Sequence, residues 1–176
     1  MIFRQTQLEG VFEIDLEKIE DERGFFARTF CKNEFEAHHL KTDIAQCNVS
    51  YNTRKGTLRG LHYQVLPHEE AKLVSCTAGA VFDVIVDLRQ NSPTFLDWLA
   101  VELNAETNKS LYIPEKVAHG FETLRADTVV CYSMFEVYRP ECARGIRWDD
   151  PAFNIDWPFV PEVVSEKDRS YQDFEL

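Results

Sequence analysis

The sequence predicts an all-β protein, built as a sandwich or barrel with one or two short helices. Two observations predict this fold: turn-forming residues recur at short intervals, and the segments between them alternate apolar and polar residues as strands do. The turn formers are Gly10, Gly24, 52–56, Pro67, Gly79, 91–93, Asn104, Pro114, 126–127, Pro140, Gly145 and Pro151. Many short strands with few helices are typical of closed or layered sheets. No repeat or linker interrupts residues 1–176, and we expect one domain.

Three segments carry the strand pattern most clearly. In 81–88 the even positions are apolar, whereas Asp83 and Asp87 occupy odd positions, which predicts one buried face and one partly solvated face. Leu99, Val101 and Leu103 alternate with other residues in the same way. The β-branched and aromatic run from Val129 to Tyr138 predicts one long strand.

One short helix is predicted from Asn33 to Lys41. Asn33 is a suitable N-cap, and Glu36 three residues later completes a capping-box pattern. The tail from Pro158 onward is more polar, and we expect it to wrap the surface or to reach back to a site.

Composition excludes several classes of protein. The 19 basic and 30 acidic side chains give a net charge of −11, which argues against nucleic acid or an anionic membrane surface as the main partner. An anionic ligand would therefore need locally clustered Arg and Lys. With 44% hydrophobic and 12% aromatic residues, the chain has the composition of a folded protein and not of a disordered one.

The cysteines and the N-terminus indicate the compartment. The five cysteines are widely spaced and odd in number, and no C-x-x-C pair occurs, so neither a disulfide framework nor a zinc knuckle is expected. No apolar segment has the length of a signal peptide core or of a membrane span. We expect a cytoplasmic protein that does not bind a membrane.

The segment from Thr57 to Gln64 is the first candidate for chemistry. On a strand, Gly60, His62 and Gln64 share one face, while Leu61 and Tyr63 share the other. A lone histidine is more often a hydrogen-bonded core residue than a functional one. A functional role for His62 is therefore supported only by its neighbours.

Other polar residues are predicted to face the same interior. Lys72 lies in an apolar setting, where an inward ammonium group is costly unless it meets an anion. Tyr132 and Tyr138 have the same parity in their predicted strand, and His119 follows a separate apolar segment. An interior that holds Arg, His, Lys and Tyr together is typical of a site and not of a core.

A metal site is the first alternative for a barrel with internal histidines. Metal-binding cupins use an H-x-H pair, a later Glu and a distant third His, but Tyr63-Gln64 follows His62 here. His68 and Glu70 fall in a predicted loop after Pro67. His62 and His119 alone are fewer than the three or four ligands of a firm site, so no metal is expected.

Several motifs, in order, resemble the dTDP-4-dehydrorhamnose 3,5-epimerase family of nucleotide-sugar enzymes over nearly the whole chain. They are D-E-R-G-F-F (21–26), Q-C-N-V-S (46–50), L-R-G-L-H-Y-Q (58–64), K-L-V (72–74), 81–95, 113–121, G-I-R-W-D-D-P (145–151) and S-E-K-D (165–168). The resemblance implies a cupin-type jelly roll with no metal and no cofactor. It also implies a homodimer in which the N-terminal strands complete the partner's site.

The resemblance also implies roles for residues in an epimerisation of a nucleotide-linked 4-keto-6-deoxyhexose. His62 matches the family's base, Asp168 the carboxylate that orients it, and Tyr132 the proton donor on the opposite face, while Lys72 places positive charge where the enolate develops. The matching substrate contacts are Arg59 and Arg23 for the diphosphate (Arg23 from the other subunit), Gln46, Asn48, His119 and Lys167, with Phe26 and Tyr138 packing on the nucleotide or sugar.

Simpler interpretations stay open for some of these residues. Phe26 and Tyr138 are equally well explained as core aromatics. Lys167 and Asp168 are also consistent with a solvated tail pair, and Arg23 with an exposed ion pair to Asp21 or Glu22.

The chain departs from the family pattern at three places. Arg28 and Ala143 stand where the family usually has Glu, and Lys116-Val117 stands where it tends to have Gly-Phe. The first of these Glu residues lies near the nucleobase, and a guanidinium suits the acceptors of cytosine better than the N3 proton of thymine. The alternatives are therefore the same chemistry on a CDP-linked sugar, epimerisation at one carbon only, a non-catalytic sugar-nucleotide binding protein, and a metal-dependent cupin oxygenase.

Overall fold

The computed structural model describes residues 1–175, which form fourteen strands and two short helices. The strands are β1 Ile2–Gln5, β2 Phe12–Asp15, β3 Ile19–Asp21, β4 Gly24–Phe26, β5 Gln46–Asn52, β6 Thr57–Gln64, β7 Lys72–Ala78, β8 Ala80–Asp87, β9 Trp98–Asn104, β10 Ser110–Ile113, β11 Val117–Thr123, β12 Thr128–Met134, β13 Ala143–Gly145 and β14 Val163–Val164. The helices are α1 Lys32–Ala37 and α2 Glu166–Arg169. The predicted all-β class with short helices is confirmed.

Two large sheets face each other. The first sheet has the order β1-β2-β10-β7-β12-β5, and the second has the order β13-β6-β11-β8-β9, with β14 added beside β6. All pairs in both sheets are antiparallel except β14 with β6. One buried apolar cluster lies between the sheets, with Val74 and Leu111 from the first sheet and Ile85 and Leu103 from the second. This cluster is the main core.

The prediction of a partly solvated face on β8 was wrong, because both faces of this strand are buried. The odd face turns into the space between the sheets, where Asp83 and Asp87 are fully buried. Asp87 accepts hydrogen bonds from the Arg89, Ser92 and Thr94 side chains, which satisfy its charge. A second apolar cluster, which includes Phe153 from the C-terminal region, covers the even face.

The strand predicted from Val129 to Tyr138 ends early, since β12 stops at Met134. Tyr138 is 46% exposed, and its backbone N–H donates to the Gln46 side chain, 2.9 Å away. The shared parity of Tyr132 and Tyr138 therefore carries no information about their directions. The alternation at 99–103 is confirmed by β9, in which Val101 and Leu103 are buried.

The short helix was predicted correctly, but its cap and its end were not. Helix α1 begins at Lys32, and its N-cap, Cys31, makes no side-chain capping bond, so Asn33 lies inside the helix. It ends at Ala37 because His39 takes a left-handed backbone conformation (φ 58°) and the Leu40 N–H returns to the Phe35 carbonyl. The buried Phe35 side chain anchors the helix to the first sheet.

The tail after Pro158 does more than cover the surface. It adds β14 beside the start of β6, and it then forms α2, where the Ser165 hydroxyl caps the Asp168 N–H at 3.1 Å. All five cysteines are free. Among residues 1–175 there is no helix with the length and hydropathy needed to cross a bilayer.

Candidate active site

A cavity of about 600 Å³ lies between strands of the two sheets. Strands β5, β6, β7, β11 and β12 line it, and the tail around α2 closes one side. The predicted residues that line it are Arg59, His62, Lys72, His119, Tyr132, Lys167 and Asp168. The structure therefore brings together residues from five separate segments of the chain.

A shift of register in β6 lets Arg59 and His62 reach the same cavity. His62 pairs with His119 and Arg59 with Phe121, so three steps along β6 oppose two steps along β11. An odd spacing would otherwise place the two side chains on opposite faces. Gly60 lies at this irregularity with φ +120°, and a Cβ there would come within 2.5 Å of the Gly120 Cα, so only glycine fits.

Of the residues predicted to share a face with His62 on β6, Gln64 does not line the cavity. Gln64 is buried away from the cavity, where its amide nitrogen donates to the carbonyls of His68 (2.8 Å) and Val137 (3.3 Å). The register shift lies between Arg59 and His62, so it does not separate Gln64 from the face of His62. Gln64 lies farther along β6, beyond the cavity lining, and holds the loops at the strand's end.

His62 and Asp168 form the central pair. The His62 Nε2 lies 2.7 Å from the Asp168 Oδ1, and the Gly60 N–H approaches the other carboxylate oxygen at 3.4 Å. Burial opposes the ionisation of Asp168, but the hydrogen bond and charge of His62 outweigh it and lower the pKa of this carboxyl group. A buried, ionised carboxylate therefore holds the imidazole, and Asp168 is not a solvated tail residue.

Lys72 is buried and lines the cavity. Its Nζ lies 2.6 Å from the Glu70 Oε1 and donates to the His62 carbonyl at 3.3 Å. The sequence predicted that an inward lysine here needs an anion, and Glu70 is that anion. Glu70 itself was placed only in a loop, because nothing in its local sequence signals that it turns inward.

Tyr132 and Arg59 lie on facing sides of the cavity lining. Burial raises the pKa of Tyr132, with Arg59 opposing this effect and Glu70 adding to it. The phenol therefore keeps its proton at neutral pH. The Arg59 Nε donates to the Asn52 side chain at 2.8 Å, which fixes the guanidinium while leaving its remaining donors toward the cavity.

His119 is buried beside the cavity, and its Nε2 lies 2.9 Å from the Asp83 Oδ2. Asp83 was missed as a site residue because its position on β8 was assigned to a solvated face. Both cavity histidines thus bind a carboxylate, and no cluster of three or more potential metal ligands occurs within residues 1–175.

Gln46 and Asn48 lie beyond the cavity lining, along strand β5. They continue the face of Ser50, which does line the cavity, and Asn48 pairs directly with Tyr132 across the strands. The two amides contact each other at 3.4 Å and lie at the rim. Tyr138 also lies outside the lining, next to Gln46.

The N-terminal candidates do not line the cavity. Arg23 and Phe26 belong to the β3–β4 hairpin, where the Arg23 side chain is 84% exposed and Phe26 is 70% exposed. Phe26 is therefore not a core aromatic residue. Arg23 pairs with Asp21, and Arg28 pairs with Glu34 at 2.9 Å.

Sequence reasoning missed Tyr171. Its ring packs edge-on against the His62 imidazole, with centroids 6.2 Å apart. Gly145 lies opposite His62 on β13, and a Cβ there would come within 2.1 Å of the Tyr171 ring. The feature that points to Tyr171 is Gly145, which has no side chain and so leaves room for the Tyr171 ring. This relationship can be recognised only from the structure, because the two residues are far apart in the sequence.

Comparison with known proteins identifies the family of this chain. The family model described as dTDP-4-dehydrorhamnose 3,5-epimerase matches residues 5–175. A protein of that name from Sinorhizobium fredii is 43% identical over 171 residues, covering 97% of this chain and 88% of the relative.

Two solved structures are similar over almost their full lengths. A Bacillus anthracis dTDP-4-dehydrorhamnose 3,5-epimerase with TDP and PPi bound has a TM-score of 0.94 at 36% identity, covering 98% of this chain and 99% of that one. A Legionella pneumophila dTDP-6-deoxy-D-glucose-3,5-epimerase in complex with dTDP-4-keto-L-rhamnose has a TM-score of 0.91 at 38% identity, covering 98% and 92%. With this cupin-type fold and this similarity, the chain belongs to the dTDP-4-dehydrorhamnose 3,5-epimerase family of isomerases.

Proposed function

We propose that this enzyme inverts C3 and C5 of a dTDP-linked 4-keto-6-deoxyhexose in deoxysugar biosynthesis. The observation that carries the proposal is the His62–Asp168 pair, which lines one cavity together with Lys72 and Tyr132. Mere binding of a sugar nucleotide needs neither a positioned base nor a buried acid, so this arrangement favours catalysis over a binding role.

The proposed reaction begins with a proton transfer to His62. The 4-keto group acidifies the C–H bonds at C3 and C5, and the imidazole takes one of these protons while Asp168 stabilises the imidazolium that forms. The electron pair of the C–H bond moves to the ketone oxygen and gives an enolate. The ammonium group of Lys72 stabilises that negative charge as it develops.

Tyr132 completes the inversion in this proposal. Its raised pKa keeps the phenol protonated, so it donates a proton to the ring carbon from the opposite face. Solvent then restores the proton of Tyr132 and removes the one held by His62. No cofactor enters the scheme, because the substrate's own ketone is the electron sink.

Substrate anchoring is assigned to cationic and polar groups around the cavity. Arg59 and Lys167 line it and supply positive charge for a diphosphate in a chain whose net charge is −11. His119, Gln46 and Asn48 are proposed to hold the sugar or the base. The named ligands of the two similar structures, TDP and dTDP-4-keto-L-rhamnose, support dTDP as the nucleotide.

We also propose a homodimer in which the β3–β4 hairpin of one subunit completes the partner's cavity. Ile19, Phe25 and Phe26 on the hairpin are exposed, as are Val49 and Tyr51 on the edge strand β5. Exposed apolar groups of this size on a hairpin and on a sheet edge are typical of an interface. The partner's hairpin would bring Arg23 and Phe26 to the substrate.

The proposed compartment is the cytoplasm, because five free cysteines suit a reducing environment.

The presence of Arg28 makes the identity of the substrate's nucleobase a question for experiment. Its pairing with Glu34 engages part of the guanidinium, and its side chain is 60% exposed. If the partner's cavity receives this region, Arg28 would meet the base, and a guanidinium favours cytosine over thymine.

The test is solvent deuterium incorporation, with dTDP- and CDP-4-keto-6-deoxyglucose offered separately in D₂O. We expect label at C3 and C5 of the dTDP sugar, assigned by mass and NMR. Label only in the CDP sugar would overturn the proposed nucleotide, and label at one carbon would overturn the double inversion. No label from either sugar would contradict the proposed activity. The variant His62→Ala is the control, which should lose exchange and keep nucleotide binding.

A further inference from the structure

We propose that Glu70 is a positioning residue for this reaction, which holds the Lys72 ammonium group in the direction that the enolate oxygen requires. The inference rests on the proposed function, since it assigns Lys72 the role of stabilising the enolate. Glu70 would touch neither substrate nor reacting atoms, and it would act through Lys72.

The first observation is the burial of the pair. The side chains of Glu70 and Lys72 are only 5% and 8% exposed, and their charged atoms lie 2.6 Å apart. Taking two charges out of water costs free energy that their attraction often does not fully recover. A buried ion pair whose lysine lines a cavity is therefore weak evidence for a purely stabilising role.

The second observation is how the donors of Lys72 are used. An ammonium group has three N–H donors. One is directed to the Glu70 Oε1 and one to the His62 carbonyl at 3.3 Å, so a single donor is left for the cavity. Glu70 thereby fixes the direction of that donor relative to the backbone of the proposed base.

The third observation is the other oxygen of Glu70. Its Oε2 is buried and has no hydrogen-bond partner within residues 1–175. Such a group costs stability, and in native structures it calls for a reason other than packing. The same carboxylate also acts on Tyr132, whose pKa it raises in addition to the larger effect of burial. One side chain thus bears on both the enolate stabiliser and the proton donor.

The chain offers a matched control in the neighbouring residue. Glu69 is also acidic and also pairs with a lysine, Lys116, at 3.0 Å, but this pair lies outside the cavity. Replacing Glu69 by Gln removes the same charge one position away without touching Lys72.

The experiment compares Glu70→Gln, Glu70→Asp and Glu69→Gln with the wild type in the deuterium exchange assay, with dTDP binding measured by titration. We expect Glu70→Gln to lower kcat by about 10- to 100-fold, because small displacements of a positioned group have effects of this size. KM and the dTDP affinity should change less than about twofold, since the ammonium is proposed to act on the enolate and not on the nucleotide. Glu70→Asp keeps the charge but shortens the side chain, and it should lower kcat by a smaller factor.

A double-mutant cycle separates positioning from general destabilisation. In a Lys72→Met background, Glu70→Gln should lower kcat by a much smaller factor than it does in the wild type, because the group through which it mainly acts is gone. A folded Glu70→Gln enzyme with wild-type kcat would overturn the inference. A Glu70→Gln effect on kcat that is as large in the Lys72→Met background as in the wild type would also overturn it. If Glu70→Gln does not fold, a folded Glu70→Asp variant with wild-type kcat would overturn it in the same way. Each of these results leaves the proposed function intact, whereas failure of the wild type to exchange either sugar would contradict the function itself.

Discussion

The Nε2 atom of His62 lies 2.7 Å from the Oδ1 atom of Asp168, although 106 residues separate them in the chain. The tail makes this contact possible by pairing β14 with the beginning of β6, the strand that carries His62. Ser165 then caps α2 and directs its first turn, which contains Asp168, toward the cavity. The proposed base therefore obtains its carboxylate from the C-terminal segment.

Replacing Asp168 by Asn should abolish most of the activity. The amide keeps the shape of the carboxylate but removes the negative charge that holds and stabilises the imidazolium, and comparable His–Asp pairs lose up to about 10⁴-fold in kcat. We expect a fall of about 10²- to 10⁴-fold in deuterium exchange, with dTDP binding nearly unchanged. The control is Asp173→Asn, which alters an exposed carboxylate in the same tail, paired with Arg147. Equal losses in the two variants would contradict a special role for Asp168.

The mutation Gly145→Ala should disturb the contact between Tyr171 and His62. Its new Cβ would overlap the Tyr171 ring, which must then move away. Overpacking of this kind costs about 1–3 kcal/mol of the free energy of unfolding, measured by urea denaturation. In a Tyr171→Ala background the same mutation should cost much less, because the clashing ring is absent. A cost that is the same in both backgrounds would show that the ring is not the obstacle.

Hybrid dimers test whether the hairpin acts on the partner. Separately purified Arg23→Ala and His62→Ala enzymes should both have low activity. When the two chains are coexpressed, each hybrid dimer should contain one site with an intact His62 and an intact Arg23 from the partner subunit. Random pairing then predicts recovery of roughly a quarter of wild-type activity. If Arg23 served its own subunit, no hybrid site would be complete and no activity would return.

The sequence could predict the sheet-rich fold because strand periodicity and turn residues are local signals. It could also predict His62, Lys72, Tyr132 and Asp168 as site residues through their motifs, and these residues do line one cavity. It could not predict Glu70 or Tyr171, because their roles depend on contacts made across the fold. It placed Asp83 on a solvated face for a related reason: alternation along a strand does not reveal that both faces will be covered, here one by the opposite sheet and the other by the C-terminal region.

Glu122 gives a prediction about stability and pH. It is fully buried on β11, and neither carboxylate oxygen finds a hydrogen-bond partner in the part of the chain that the structure describes. Burial raises the pKa of Glu122 from 4.5 to about 7. Between these two values the unfolded chain releases the proton while the native state keeps it, so stability falls as pH rises and levels off above pH 7. The loss amounts to about 3 kcal/mol.

The variant Glu122→Gln should therefore be more stable than the wild type at pH 8 but not at pH 4.5, because the amide resembles the protonated acid and does not titrate. Urea denaturation at both pH values measures the difference, and subtracting the wild type removes contributions from other carboxyl groups such as Asp168. Glu102→Gln on the exposed face of β9 is the control, and it should show no such pH-dependent gain. A Glu122→Gln gain that is equal at the two pH values would mean that its carboxyl group titrates in the native state as it does in the unfolded chain.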